Sequence, residues 1–298
     1  MQSETKHILS IHSLTNENIQ NIISRAEYYR LYPQTDILKG KIIGHVFFEP
    51  STRTNCSFQC AVQRCGGTTI DLHIEYSSTK KGESLEDTIQ TMEQYCDALI
   101  IRHPTIGCMK ICADCTKIPV INAGDGTGEH PTQALLDLFT IQQYHLLTLP
   151  LKIAICGDLK NSRTCHSLIQ LLDRLHDHFE FYLIYKENFG LDDAFVRSLR
   201  NKCVYASDLS TVIHNVDIIY MTRIQKERIQ EDCTVDNNIC ITNHMLNMAK
   251  STTILMHPFP RNDELPKECD ANVRSKYFEQ MKNGVYVRMA ILEHCFNG

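Results

Sequence analysis

Short apolar runs alternate with stretches of helical periodicity along most of the chain. An apolar piece near Ile8 precedes a segment in which Ile19, Ile22, Ile23 and Ala26 recur at helical spacing, with Thr15 in the capping position. The run 42–48 reads as a buried strand, since Val46, Phe47 and Phe48 follow one another without polar alternation. Pro50 breaks it, and a helix over 52–65 follows, stopped by Gly66-Gly67. Next come a strand at 69–72, a helix at 88–95, a strand at 98–102, a turn at His103-Pro104, a helix carrying three cysteines and a strand at 120–121. Residues 122–129, NAGDGTGE, read as a Gly-rich loop, and 130–145 as a helix with Leu135, Leu138 and Phe139 on its inner face. The alternation then restarts. Strands are expected at 152–156, 181–185, 217–221 and 254–256, and helices at 163–175, near 192–200 and at 276–296.

Strands alternating with helices predict an α/β fold with parallel sheets flanked by helices. A chain of 298 residues suits two domains of ~100–200 residues each. The boundary is expected near 147–150, which gives domains 1–147 and 148–275. No strand is followed by G-x-G-x-x-G, which disfavours a dinucleotide cofactor.

Composition narrows the class. A net charge of −5 argues against a general nucleic-acid surface while leaving room for a local basic pocket. No apolar run approaches the ~20 residues of a membrane span, and MQSETKHILS lacks the apolar core of a secretion signal, so a cytoplasmic protein is expected. The 14 cysteines are scattered, many inside apolar runs, where they read as small buried hydrophobes kept reduced. Cys112-Ala-Asp-Cys115 is a C-x-x-C without a second ligand pair, so no metal is expected.

The candidate chemistry sits after the first predicted strand. Ser51 is placed as the cap of the following helix, with Thr52, Arg53 and Thr54 in its first turn. An ordinary capped helix accounts for Ser51. It does not account for a cation in the first turn, where the helix dipole disfavours one; a bound anion does. Arg102, His130, Arg163 and Arg223 likewise follow predicted strands or loops. In open α/β sheets ligands bind outside the carboxyl ends of strands, so Arg53 and these four read together as a polyanion site. Taken singly, His130 reads as a helix-start residue beside Pro131, and the Lys-rich segment 75–88 as a solvated loop.

FEPSTRT resembles the carbamoyl-phosphate signature of the aspartate and ornithine transcarbamoylases. Four further blocks are similar to the aspartate branch and occur in its order: SSTKKGESLEDT, GDGTGEHPTQALLDLFTI, GDLKNSRTCHSL with YMTRIQKER, and HPFPRNDEL. NCSF and GEHPTQ resemble the form found in the animal multifunctional pyrimidine protein. The resemblance spans essentially the whole chain.

It implies a carbamoyl-phosphate domain over 1–147, an aspartate domain over 148–275, and a terminal helix, 276–298, packing back on the first. The implied reaction joins carbamoyl phosphate to L-aspartate, the committed step of de novo pyrimidine synthesis, with no cofactor or metal. Ser51, Thr52, Arg53, Thr54 and Arg102 would hold the phosphate, and His130 and Gln133 would face the carbamoyl group. Arg53, Thr54, Arg102 and His130 would serve catalysis, with His130 donating to the carbamoyl oxygen. Lys81, Arg163, Arg223 and Gln225 would bind aspartate. Pro258, Phe259 and Pro260 would line the carbamoyl pocket through backbone carbonyls, with Phe259 standing where most members carry Leu or Met. Ser77 and Lys81 would come from a neighbouring subunit of a homotrimer. A carbamoyltransferase for ornithine or another amine would share STRT and HPTQ. It would need an acidic partner for the second ammonium and typically a His-Cys-Leu-Pro loop, where this chain has His257-Pro258-Phe259-Pro260. A non-catalytic relative would have lost signature positions, and those considered are all present.

Overall fold

The structure, a computed structural model, describes residues 6–74, 77–225 and 239–296. Outside them lie Glu75 and Tyr76 of the Lys-rich segment, Lys226 to Arg228 of the YMTRIQKER block, and the first five residues, on which the secretion-signal reading partly rests. The chain divides into two compact units, Met1–Phe139 with Lys282–Gly298, and Thr140–Met281. Each is a parallel sheet flanked by helices.

The first unit holds α1 (Asn16–Leu31), β1 (Ile42–Phe47), α2 (Thr52–Arg64), β2 (Thr68–Leu72), α3 (Leu85–Glu93), β3 (Ala98–His103), α4 (Cys108–Asp114), β4 (Val120–Asp125) and most of α5 (Pro131–Gln142). Its strand order is β2-β1-β3-β4. The chain leaves β1 to one side to form β2 and returns on the other side to form β3. Strand order therefore reverses between β1 and β3, where Phe47 pairs with Arg102. The crevice outside such a reversal is where open α/β sheets take ligands.

The second unit holds β5 (Lys152–Cys156), α6 (Arg163–Leu175), β6 (Glu180–Ile184), α7 (Asp193–Ser198), β7 (Lys202–Tyr205), β8 (Ile218–Met221), α8 (Asn243–Met248) and β9 (Ile254–Met256). The order β7-β6-β5-β8-β9 reverses between β5 and β8. All of these pairings are parallel. The last helix, α9 (Tyr277–Phe296), begins in this unit and from Lys282 onward belongs to the first. There it buries Val287, Met289, Ala290, Ile291 and Leu292, each large apolar side chain contributing about 1.5–3 kcal/mol.

Several elements differ from the expectation. β4 runs to Asp125 rather than stopping at 121, because the supposed loop keeps its strand pairing to β3. The polar Asn122 is tolerated there since its Nδ2 donates to the Leu9 carbonyl at 2.8 Å. α3 starts three residues early, at Leu85, where Ser84 Oγ accepts from the Asp87 amide. The Lys-rich segment contains a short 3₁₀ turn, Ser78–Lys81. β7 and α8 were not expected. β7 is a four-residue edge strand with exposed ends, and α8 spans six residues, too few to show a period.

Candidate active site

In the first unit the site begins where β1 hands over to α2. Ser51 has the extended backbone of an N-cap, φ −158° and ψ 91°, yet its side chain makes no capping hydrogen bond. Its Oγ accepts from Arg102 Nη1 at 3.3 Å instead. Ser51 thus does not consume the donors of the first turn of α2, where the positive end of the helix dipole lies. Thr52 and Arg53 are exposed on that turn, and Thr54 is buried. Arg102, at the end of β3, also pairs with Glu49 at 3.2 Å. Arg102 therefore arrives with a carboxylate that holds its guanidinium in place.

His130 completes this half. Its carbonyl accepts from the amides of Gln133 and Ala134, which sets it at the start of α5. The buried imidazole stands with Nε2 3.4 Å from Thr54 Oγ1 and Nδ1 3.4 Å from Thr132 Oγ1. Gln133 follows in the first turn, and its Nε2 donates to Asp137 Oδ1 at 2.8 Å. Two side-chain contacts thus converge on the start of α2, Ser51 with Arg102 and Thr54 with His130, with Thr52 and Arg53 on the same turn. Ser77 and Lys81 stand on the 3₁₀ turn, whose cap is Ser77 and whose Lys81 is exposed.

In the second unit the matching place is the reversal between β5 and β8. Gly157 follows β5 with φ 117°, and a Cβ there would lie 2.1 Å from the Thr222 carbonyl oxygen, so only glycine lets the two loops approach. Asp158, fully buried, then ties them together. Its carboxylate accepts from the Asn161 amide at 3.1 Å and from the Gln225 amide at 3.2 Å. Arg163 is the first residue of α6 and is buried, with Ser162 as the cap. Arg223 is half-buried and its Nη1 donates to the Ile224 carbonyl. Gln225 Nε2 donates to the Asn161 carbonyl at 2.8 Å.

The loop after β9 belongs to this unit as well. His257 accepts at Nδ1 from the Phe259 amide at 2.8 Å, so its proton sits on Nε2 and is donated to Glu264 at 2.9 Å. Burial pushes Glu264 up, but the hydrogen bonds from His257 and the Asn262 amide outweigh it and hold the carboxyl below its usual range. The Phe259 ring packs on His257 and Tyr277, so its side chain is spent on packing while Pro260 is exposed.

Burial pushes the Cys108 thiol up to about 11 and Cys112 to about 12, so neither is a ready nucleophile. Among the described residues no group of three His, Cys, Asp or Glu side chains is arranged to hold a metal ion, and no helix is long and apolar enough to cross a membrane. Sequence reasoning missed Glu49, Asp137 and Asp158. The available signal for Asp137 was its spacing of four from Gln133 on one helix.

Two family models cover nearly the whole chain. The aspartate/ornithine carbamoyltransferase carbamoyl-P binding domain matches residues 6–143, and the Asp/Orn binding domain of the same family matches 150–295. The chain belongs to the aspartate/ornithine carbamoyltransferase family. Within that family it is 44% identical over 295 residues to the aspartate carbamoyltransferase catalytic subunit of Archaeoglobus fulgidus, covering 96% of this chain and 98% of that one. It is 40% identical over 301 residues to the multifunctional protein pyr1-3 of Dictyostelium discoideum, covering 98% of this chain but 13% of that protein. Aspartate transcarbamoylase from Trypanosoma cruzi, solved in complex with carbamoyl phosphate, superimposes with a TM-score of 0.93 at 35% identity, covering 98% of this chain and 96% of that one.

Proposed function

We propose that this chain is an aspartate carbamoyltransferase, joining carbamoyl phosphate and L-aspartate to give N-carbamoyl-L-aspartate and phosphate. The observation that carries this reading is the pair of contacts, Ser51 with Arg102 and Thr54 with His130, that meet at the start of α2 beside the reversal of the first sheet. Helix-start amides, hydroxyls and guanidinium groups together suit a phosphate dianion. The choice of amine is supported by Arg163 and Arg223 at the second reversal. Planar guanidinium forks suit the two carboxylates of aspartate and repel the second ammonium of ornithine.

The assigned roles follow. Residues 1–147 with the terminal helix take carbamoyl phosphate, and 148–275 take aspartate. Ser51, Thr52, Arg53, Thr54 and Arg102 hold the phosphate. His130 donates to the carbamoyl oxygen, and Gln133 with the Phe259 and Pro260 backbone meets the carbamoyl NH2. Arg163, Arg223 and Gln225 hold aspartate. The neutral amine attacks the carbamoyl carbon to form a tetrahedral intermediate; phosphate leaves with the electrons of the breaking C–O bond and takes up the proton shed by the amine nitrogen. Catalysis comes from positioning and from cations where negative charge develops. The chain works in the cytoplasm as a homotrimer, in which Ser77 and Lys81 serve a neighbouring subunit's site.

Two measurements test this. With radiolabelled carbamoyl phosphate and equal aspartate and ornithine, label is expected in carbamoyl aspartate alone; label in citrulline would refute the choice of amine. For the shared site, Lys81→Ala and Arg163→Ala trimers are dissociated, mixed, reassembled and assayed at aspartate far below the raised KM, where neither parent turns over appreciably. Activity should return in the hybrids, and inactive hybrids of correct mass would mean self-contained sites.

A further inference from the structure

Gln133 and Asp137 lie one turn apart on α5, and both are buried, Asp137 completely. A carboxylate has only acceptors to offer, so the NH2 of Gln133 must be the group that faces Asp137 at 2.8 Å. The amide is planar, which turns its oxygen the other way. A buried carboxylate needs a nearby positive charge, and α9 supplies one. The Arg288 guanidinium is buried over the Phe58 ring of α2, 4.9 Å from its centroid, and its Nε has no hydrogen-bond partner among the described residues. Gly284, one turn earlier, makes room for it: a Cβ there would fall 2.4 Å from Nη1. Burial pulls Arg288 down to about 10 while the charge of Asp137 opposes that pull, so the guanidinium stays protonated at neutral pH.

We propose that Asp137, backed by Arg288, is a positioning residue that fixes the polarity of the Gln133 amide, presenting its oxygen to the substrate as an acceptor that reads an acyl-phosphate NH2. The proposal rests on the reading that Gln133 meets the carbamoyl group. It gives the site a means of telling carbamoyl phosphate from an acyl phosphate of the same shape that carries a methyl in place of NH2. A site built to hydrogen-bond an N–H disfavours the analogue that lacks it. Asp137 itself touches no substrate.

The probe pair is carbamoyl phosphate and acetyl phosphate, with inorganic phosphate as the reference anion. The quantity read is the Ki of acetyl phosphate divided by the KM of carbamoyl phosphate. Asp137→Leu, which removes the acceptor, should narrow this preference about fivefold to tenfold, the worth of one neutral hydrogen bond. Phosphate affinity should stay within about twofold, since the cradle at Ser51–Thr54 is not touched. Asp137→Asn offers the amide a donor as well as an acceptor and should narrow the preference by about twofold to fivefold. It decides the matter if the leucine variant does not fold. An unchanged preference in a folded variant overturns the proposal, as does a parallel loss of phosphate affinity, which would make Asp137 a support of the helix alone. Gln133→Leu separates the two levels. If it narrows the preference while the Asp137 variants do not, the positioning role fails and the reading of Gln133 stands. If it changes nothing, the reading of Gln133 fails and the proposal with it.

Discussion

The two halves of the proposed site use the same place in their sheets and are built differently. In the first unit the groups stand on regular structure: Arg102 ends a strand, Thr52, Arg53 and Thr54 open a thirteen-residue helix, and His130 heads another. In the second, Arg163 opens a helix, but Arg223 and Gln225 stand on irregular backbone that depends on Asp158 and on the approach allowed by Gly157. Preorganised donors on rigid elements are what a transferring group needs, because geometry there acts directly on the barrier. On the proposed reading, the half held by loop contacts governs binding of the second substrate. The comparison therefore predicts a division of labour: rate lost in the first half, aspartate affinity lost in the second.

The largest effect is expected at the cradle. Arg53→Ala and His130→Ala should each lower kcat by about 10²–10³, as removal of one preorganised donor typically does, with an unchanged melting temperature. Near-normal turnover in Arg53→Ala would remove the anion-cradle assignment. Next come Arg163→Ala and Arg223→Ala. Each should raise the KM for aspartate by about tenfold to a hundredfold, the worth of one charged hydrogen-bonding group, and leave phosphate affinity alone. A rise in the carbamoyl phosphate KM instead would erase the distinction between the halves.

The smallest effect is on stability, and it should be shared by both units. Burial lowers the imidazole of His45 in the first unit, partly opposed by a hydrogen bond with Asn55 and by Asp71. Burial also lowers His145 in the second, partly opposed by Asp217. Both imidazoles fall from 6.5, so the unfolded chain binds more protons than the folded one as pH drops through that value. The stability they contribute is present above that pH and lost on acidification below it. Melting temperatures should fall between pH 7.5 and 5.5; a rise would contradict the assignment.

Much of the first half was legible in the sequence because its signals are local. A proline break, a small cap and a cation in a first turn lie within five consecutive residues, Pro50–Thr54, and each has a physical meaning without tertiary knowledge. The alternation of apolar runs and helical periods likewise carried both parallel sheets. What could not be read was whatever topology alone creates. Glu49 meets Arg102 only because β1 and β3 are neighbours. Asp158 meets Gln225, 67 residues away, only because β5 and β8 are. Asp137 was hidden differently. It sits in an almost wholly buried helix, where one acid among apolar residues looks incidental until Gln133 and Arg288 are seen beside it. β7 escaped because an edge strand with exposed ends carries no continuous apolar run.

The division of labour is tested most directly by calorimetric titration of inorganic phosphate into three folded proteins: the parent chain, Arg53→Ala and Arg223→Ala. The account predicts that phosphate binding is lost or severely weakened in Arg53→Ala and matches the parent in Arg223→Ala. Equal phosphate affinity in all three, or loss in Arg223→Ala alone, would contradict it.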